Sequence, residues 1–160
     1  MAWVLSWTGS RRSEPVAILA TRIETFPLRQ RFTISRGTKT ETIVVTADIA
    51  ADDVCGRGEC GPNARYDETP DSVAAQIMSL SSDIANGLDR ATLQGRLPPG
   101  AARNALDCAL WDFEAKRTGR SVWEVAGLVE PGSVQTAFTL SADSPEAMAQ
   151  DARANADRPI

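Results

Sequence analysis

Residues 41–49 alternate between apolar and polar side chains, which is the pattern of a strand with one buried face. The apolar side consists of Ile43, Val45, Ala47 and Ile49. The opposite side carries Thr42, Thr46 and Asp48. We therefore predict a half-buried strand at this place in the chain.

Two further strands are predicted, one before and one after this strand. Residues 16–26 are rich in β-branched and apolar residues, and Pro27 is expected to end the strand they form. Residues 27–40 are then expected to form a loop. A third strand is predicted near residues 54–60, VCGRGEC, whose two glycines permit tight backbone geometry. Together the three strands predict an antiparallel meander.

Further along the chain the apolar residues recur at the spacing of a helix instead of at every second position. Thr69 is predicted as an N-cap with Pro70 at the first helical position, and Gly87 is predicted to end this helix. Its apolar stripe, which is expected to pack on the sheet, consists of Val73, Ile77, Leu80 and Ile84. A shorter helix is predicted to open at Asp89 and to end at LPPG, because proline breaks helices.

The most clearly specified helix covers residues 101–116, AARNALDCALWDFEAK. Its broad apolar face consists of Ala102, Ala105, Leu106, Ala109, Leu110 and Phe113. Gly119 is predicted as the C′ residue of this helix, and Ser121 is predicted to cap one more short turn.

After Leu128 the pattern changes to strand, helix, strand. Residues 134–141, VQTAFTLS, predict a strand, Ser144 predicts the N-cap of a helix that begins at Pro145, and the final DRPI predicts the start of a second strand. This succession is typical of a parallel βα array, whose strands need neighbours on both sides. The predicted organisation of this α+β chain is an extension at residues 1–14, a domain at 15–128 and a truncated first βα unit at 129–160.

Composition narrows the chemistry that the chain can perform. It has 160 residues, a formal net charge of −4 and no histidine. The lack of histidine excludes Ser-His-Asp and Cys-His sites, histidine-ligated zinc and imidazole acid/base catalysis. Neither nucleic acid nor a membrane is an expected partner, because the sequence has no basic run and no apolar stretch that approaches 18 residues.

The three cysteines form no CxxC pair, so neither a disulfide framework nor a zinc ribbon is indicated. Cys108 is interpreted as a small apolar residue on a helix face and not as a reactive thiol. The opening residues lack the features of a signal peptide. We therefore expect a cytoplasmic protein with a small-molecule partner.

Several stretches of the sequence resemble a known family. RNALDCALWDFEAKRTGRSVWEVAGL is similar to the end of the N-terminal capping domain in the muconate-lactonizing subgroup of the enolase superfamily. RFTISRGTKTE, GRGECGPNARYDET and AARNALDCALWD together most resemble the dipeptide epimerases of that subgroup, in particular the L-Ala-D/L-Glu epimerases.

The resemblance implies a cap of three strands and several helices that closes a (β/α)-barrel, with the active site at the carboxyl ends of the barrel strands. It implies Mg²⁺, held by three barrel carboxylates, which stabilises the enolate formed when a lysine removes the proton next to a carboxylate. In the epimerases a second lysine on the opposite face returns the proton. The implied substrate is a dipeptide derived from the cell wall, such as L-Ala-D-Glu.

The resemblance also assigns three substrate contacts to this sequence. Residues 32–37 look like the mobile cap loop that closes over the substrate, with Gly37 as a hinge. In that loop Arg36 matches an arginine that contacts the acidic side chain of the dipeptide, which a guanidinium holds by two hydrogen bonds. The second cap loop, at residues 58–68, resembles the family's other specificity loop, and Tyr66 in it resembles a lid contact. Thr139 matches a threonine that hydrogen-bonds the substrate from the end of the first barrel strand.

The same resemblance leaves the chain without a catalytic centre. The family's first catalytic lysine lies in a K-x-K motif expected shortly after Ile160, and the second lysine and the metal ligands belong to later strands. Lys39, in a loop, and Lys116, on the exposed side of a cap helix, do not stand in for them. We therefore expect the chain alone to be inactive and to bind no Mg²⁺. Glu59 is interpreted as a structural carboxylate that bonds backbone amides at a turn.

Two other hypotheses stay open. Muconate cycloisomerases, o-succinylbenzoate synthases and N-acylamino-acid racemases share the cap, and barrel residues would decide between them and the epimerases. A free-standing cap would act as a binding or oligomerisation module, but the unfinished βα unit after Leu128 argues against it. Trp111, Phe113 and Trp123 are expected to leave a large exposed patch, which favours self-association into a homo-oligomer.

Overall fold

A computed structural model describes residues 16–158, which form one antiparallel sheet in the order β1, β2, β3, followed by helices. The strands are β1 (Ile18–Ile34), β2 (Gly37–Ala51) and β3 (Val54–Cys60). The helices are α1 (Pro70–Met78), α2 (Ser81–Ala85), α3 (Arg90–Arg96), α4 (Ala101–Thr118), α5 (Val122–Val125) and α6 (Pro145–Ala154). The predicted α+β class and the antiparallel meander are confirmed. The extension expected at residues 1–14 lies outside the described residues.

The hydrophobic core lies between one face of the sheet and the helices that follow it. The sheet contributes Leu19, Val45, Ala47, Ile49 and Cys60. The helices contribute Val73, Ile77, Leu80, Ile84, Leu93, Ala102, Ala105, Leu106, Ala109 and Leu110. The predicted apolar stripe after Thr69 and the predicted face of the later helix are therefore buried, except for Phe113, which is half-buried at the edge of this core.

One predicted helix is in fact two, because the helix after Thr69 is interrupted between α1 and α2. The hydroxyl of Ser79 donates to the carbonyl of Gln76, and the hydroxyl of Ser81 donates to the carbonyl of Met78, each at 2.7 Å. Such side-chain bonds compete with the backbone ladder of a helix. The chain bends there and still buries the same stripe.

Helix α4 packs directly on β3 at two glycines. A Cβ added to Gly58 would lie 2.7 Å from the backbone nitrogen of Ala109, and a Cβ added to Gly56 would meet the backbone of Ala109 and Phe113. The facing positions of α4 are small, including Ala105 and Ala109. The glycines of VCGRGEC therefore permit a close approach of helix and strand, and they do not form a turn.

The prediction that Pro27 ends the first strand is wrong, and so is the predicted loop at residues 27–40. Strand β1 continues through Pro27 to Ile34 and pairs again with β2 beyond an irregularity. In that irregularity residues 28–31 lie opposite Thr40 alone. Proline is tolerated because β1 is an edge strand, where one missing backbone donor disturbs no second ladder.

Strand β2 is buried on both faces along its centre, and not on one face as predicted. On the face away from the helices, Asp48 is 7% exposed and accepts hydrogen bonds from Arg57 at 2.6 Å and from Arg22 at 2.7 Å. The bond from Arg57 is the main reason that the pKa of Asp48 is lowered. Ile43, predicted on the buried face, is 40% exposed because it lies where the hairpin projects beyond the helices.

The aromatic side chains expected to form an exposed patch are half-buried. Trp111 lies under the guanidinium of Arg90, whose central carbon is 3.3 Å from the ring centre, and Phe113 packs against the core. Trp123 is also half-buried. These residues therefore do not supply the patch on which the expectation of self-association rested.

Residues 134–141 do not form the predicted strand. A parallel strand needs neighbouring strands to pair with along its length, and this segment does not join the described sheet of β1, β2 and β3. The helix after Ser144 is confirmed as α6, and the hydroxyl of Ser144 accepts from the amide of Ala147. The strand predicted at DRPI lies partly outside the described residues. No helix within residues 16–158 is long and apolar enough to cross a membrane.

The contact between α4 and β3 predicts that Gly58→Ala lowers the free energy of unfolding by about 3 kcal/mol, because the added methyl group has no space. Gly61→Ala is the matched control, since nothing lies within 4 Å of a Cβ there, and its effect is expected to stay within about 1 kcal/mol. Urea unfolding of both variants measures the difference. Equal stabilities would contradict the close packing.

The Asp48 cluster predicts an acid-sensitive contribution to stability. Because the pKa of Asp48 is lower in the folded chain than its ordinary value of 3.8, its contribution is complete above that pH and is lost as the pH falls through the folded pKa. Asp48→Asn is expected to cost about 1–2 kcal/mol at pH 7 and to flatten this acid dependence. Asp53→Asn, in the exposed turn before β3, should behave as the parent chain in the same urea titrations. An unchanged acid profile in Asp48→Asn would contradict the prediction.

Candidate substrate-facing end of the sheet

The hairpin of β1 and β2 projects beyond the core and encloses a concavity of about 690 Å³ near its tip. Three cationic residues line it, Arg29, Arg36 and Lys39. Its other lining residues are Leu28, Gln30, Phe32, Ile34, Gly37, Thr38, Thr42 and Asn63, so no carboxylate contributes to the lining. Three like charges around one opening produce a positive potential that attracts carboxylate ligands.

The turn of the hairpin places Arg36 at the tip. Ile34 pairs with Gly37, which leaves Ser35 and Arg36 as a two-residue connection. Gly37 has a φ of 145°, a conformation that side chains other than glycine rarely adopt. The hydroxyls of Thr33 and Thr38 lie 3.0 Å apart across the hairpin and stabilise the last pairs before the turn.

The second predicted loop is fixed by the carboxylate of Glu68. One oxygen accepts from the amide of Asn63 at 3.0 Å, and the other accepts from the amide of Ala101 at 2.7 Å. Ala101 is the first residue of α4, where helix amides lack partners and attract a negative charge. Glu68 therefore fills the structural role that the sequence analysis gave to Glu59, which is exposed on β3.

Tyr66 is placed at the same end of the sheet as the hairpin tip. It lies in a 3₁₀ turn, Ala64–Tyr66, that Asn63 caps through its side chain, and Asn63 also lines the cationic concavity. The Tyr66 side chain is 69% exposed. It is therefore free to contact a ligand that approaches this end of the molecule.

The segment that carries Thr139 is hydrogen-bonded to the hairpin through Ser141 and Ala142, the second and third residues after Thr139. Ser141 Oγ accepts from the amide of Thr33, and the amide of Ala142 donates to the carbonyl of Thr33, both at 2.9 Å. The Thr139 side chain is exposed. The structure thus brings Arg36, Tyr66 and Thr139 to one end of the sheet, but within the described residues no hydrogen bond joins them to one another.

The two lysines of the chain lie at opposite ends of the sheet. Lys39 lines the concavity at the hairpin tip. Lys116 bonds the carboxylate of Asp112 at 2.6 Å and the carbonyl of Cys55 at 2.9 Å, beside the turn between β2 and β3. They therefore cannot flank one substrate, as two acid/base lysines would have to.

The described residues do not assemble the three-carboxylate centre that the resemblance implies for Mg²⁺. Among residues 16–158 no group of three Cys, Asp or Glu side chains is placed to hold a metal ion. The residues present here therefore do not fit that three-carboxylate site.

Cys55, Cys60 and Cys108 are free thiols. Burial raises the pKa of Cys60 to about 11, and its thiol donates weakly to the carbonyl of Val45. Burial also raises the pKa of Cys108, although part of its side chain is exposed. Both remain protonated thiols at neutral pH, in keeping with the interpretation that Cys108 is not a reactive thiol.

Sequence reasoning missed four residues at this end of the molecule. They are Arg29, Asn63, Glu68 and Ser141. Arg29 fell in a stretch predicted as loop, and no periodic pattern marks the other three. The roles of Glu68 and Ser141 depend on backbone atoms far away in sequence, the amide of Ala101 for Glu68 and the amide of Thr33 for Ser141.

Comparison with known proteins identifies a family model and individual proteins that are similar to this chain. The mandelate racemase / muconate lactonizing enzyme N-terminal domain matches residues 17–127. The L-Ala-D/L-Glu epimerase of Escherichia coli (strain K12) is 45% identical over 129 residues, which cover 81% of this chain and 40% of that protein. The chain therefore spans about two fifths of the length of this relative.

Two solved structures show the same architecture. An enolase family member from Agrobacterium tumefaciens, with homology to dipeptide epimerases and with bound sodium, L-Ala-L-Glu and an ordered loop, is 43% identical with a TM-score of 0.83. The match covers 89% of this chain and 44% of that one. The dipeptide epimerase from Methylococcus capsulatus, complexed with Mg and the dipeptide L-Arg-D-Lys, is 28% identical with a TM-score of 0.76, over 89% of this chain and 43% of that one.

The sheet and helices thus have the architecture of an enolase-type capping domain, as the sequence resemblance implied. The chain belongs to the mandelate racemase / muconate lactonizing enzyme family, and residues 17–127 are the N-terminal domain of that family.

Proposed function

We propose that this chain is the N-terminal part of a Mg²⁺-dependent dipeptide epimerase of the L-Ala-D/L-Glu type, acting on cell-wall peptides in the cytoplasm. The observation that carries the proposal is the hairpin concavity, which three cationic side chains and no carboxylate line. A dipeptide that contains glutamate presents a carboxylate in its side chain as well as at its C-terminus. Relatives of this chain act on or bind such dipeptides.

Arg36 is the proposed contact for the side-chain carboxylate of the substrate. It stands at the tip of the hairpin, and its planar guanidinium donates two parallel hydrogen bonds to a carboxylate. Tyr66 is the proposed lid contact from the second loop, and Thr139 the proposed hydrogen-bond partner from the segment after the cap. The remaining cations of the concavity, Arg29 and Lys39, draw anionic substrates towards this end.

The proposed role of this part of the protein is to bind, orient and enclose the dipeptide. In the proposed enzyme a lysine removes the proton next to the carboxylate and a second lysine returns it on the opposite face. Both lysines belong to the barrel that the cap closes, with the boundary between the two domains proposed at residues 128 and 129. Mg²⁺ supplies charge stabilisation for the enolate when bound, and it also belongs to the barrel. The chain alone is therefore proposed to be inactive.

A hybrid enzyme tests this proposal. Residues 17–142 of this chain replace the matching segment of the Escherichia coli L-Ala-D/L-Glu epimerase, which supplies the barrel. We expect the hybrid to epimerise L-Ala-L-Glu, whereas the 160-residue chain alone, assayed with Mg²⁺, shows no turnover. A correctly folded hybrid without activity on L-Ala-L-Glu would contradict the proposal.

Arg36→Gln in the hybrid is expected to lower kcat/KM for L-Ala-L-Glu by about 10- to 100-fold, because one charged hydrogen-bonded pair is lost. The preference for L-Ala-L-Glu over L-Ala-L-Gln should shrink with it, and Arg36→Lys should recover only part of the loss, since an ammonium lacks the planar fork. Arg117→Gln is the matched control, because this arginine lies on α4 at the opposite end of the molecule. An Arg36→Gln hybrid with the parent preference would contradict the assignment.

A further inference from the structure

Thr33 has two backbone groups that the hairpin itself cannot satisfy. In a two-residue hairpin the residues next to the turn, here Ile34 and Gly37, exchange hydrogen bonds with each other. The following pair, Thr33 and Thr38, is then a non-hydrogen-bonded pair. The amide and the carbonyl of Thr33 therefore point away from β2, at the open edge of the sheet.

A segment more than 100 residues later in the sequence binds both of these groups. The hydroxyl of Ser141 accepts from the amide of Thr33 at 2.9 Å, and the amide of Ala142 donates to its carbonyl at 2.9 Å. The same segment and α6 border a depression of about 420 Å³ whose other wall includes Gln30 and Arg31 of β1. The contact with the edge of β1 thus extends beyond the two hydrogen bonds.

The bound part of the hairpin is separated from the rest of it by a break in pairing. Residues 28–31 face Thr40 alone, so the ladder is interrupted between Pro27 and Phe32. The base of the hairpin is fixed by long pairing of β1 with β2, but the tip is joined to that base by these unpaired residues. The position of the tip therefore depends on what binds its outer edge.

We propose that Ser141 is a positioning residue that holds the hairpin tip, and with it Arg36, against the segment that carries Thr139. Its hydroxyl and the amide of Ala142 form a latch on the backbone of Thr33. The consequence for catalysis rests on the proposed function. Arg36 and Thr139 need to contact the same ligand only if the cap binds a dipeptide. If the tip is closed for only a fraction of the time, the apparent affinity for substrate is reduced to that fraction of its full value.

The latch is tested first in the 160-residue chain by amide hydrogen exchange measured with NMR. In Ser141→Ala the amides of Thr33 and Ala142 should exchange at least about tenfold faster than in the parent chain, because one of the two bonds of the latch is removed. Ser141→Thr retains the hydroxyl and should restore protection. Ser133→Ala, at an exposed position earlier in the same segment, should leave both rates unchanged.

Exchange at Ala47, in the centre of β2, reports whether each variant is folded and should be the same in all of them. Unchanged protection of Thr33 in Ser141→Ala, with Ala47 still protected, would overturn the latch. This readout does not depend on any activity of the chain, so it decides the contact even if the hybrid enzyme proves inactive and the proposed function fails.

The positioning role is tested in the hybrid enzyme. Ser141→Ala should raise KM for L-Ala-L-Glu by about three- to tenfold with kcat within about twofold of the parent, and Ser141→Thr should return KM to the parent value. Ser133→Ala should match the parent in both constants. Faster exchange at Thr33 together with an unchanged KM would overturn the positioning role.

Discussion

The close approach of α4 to β3 determines where the other parts of this domain lie. A glycine at position 58 and the small side chains of α4 let the two backbones come within a distance that a Cβ at position 58 would prevent. Because the helix lies this close, its first amide, at Ala101, reaches the carboxylate of Glu68. That carboxylate in turn fixes the loop that carries Tyr66. One packing contact thus sets the position of a loop proposed to meet substrate.

The two ends of the sheet have different chemistry. At the turn between β2 and β3, Lys116 is held by Asp112 and by the carbonyl of Cys55, so its charge stabilises the fold. At the opposite end the hairpin extends beyond the helices. The concavity near its tip is lined by three cationic side chains and by no carboxylate. The second end is held by hydrogen bonds to the loop that carries Tyr66 and to the segment after the cap.

The sequence predicted the parts of the fold that depend on local patterns. The alternation around Val45, the stripe through Ile77 and the caps at Thr69 and Ser144 describe buried faces and helix ends that neighbouring residues determine. It failed where a distant part of the molecule decides. Pro27 remains in a strand because β1 is an edge strand, and residues 134–141 pair with no strand in the described part of the chain. Arg36 was found by resemblance, whereas Glu68 and Ser141 bind backbone atoms that leave no mark in the local sequence.

The claim that this end of the sheet encloses an acidic dipeptide is tested most directly by a crystal structure of the hybrid enzyme with L-Ala-L-Glu. We expect the guanidinium of Arg36 to donate two hydrogen bonds of about 2.8 Å to the side-chain carboxylate of the dipeptide, while Ser141 remains bonded to the amide of Thr33. A bound dipeptide whose side-chain carboxylate meets other residues, with Arg36 turned to solvent, would contradict it.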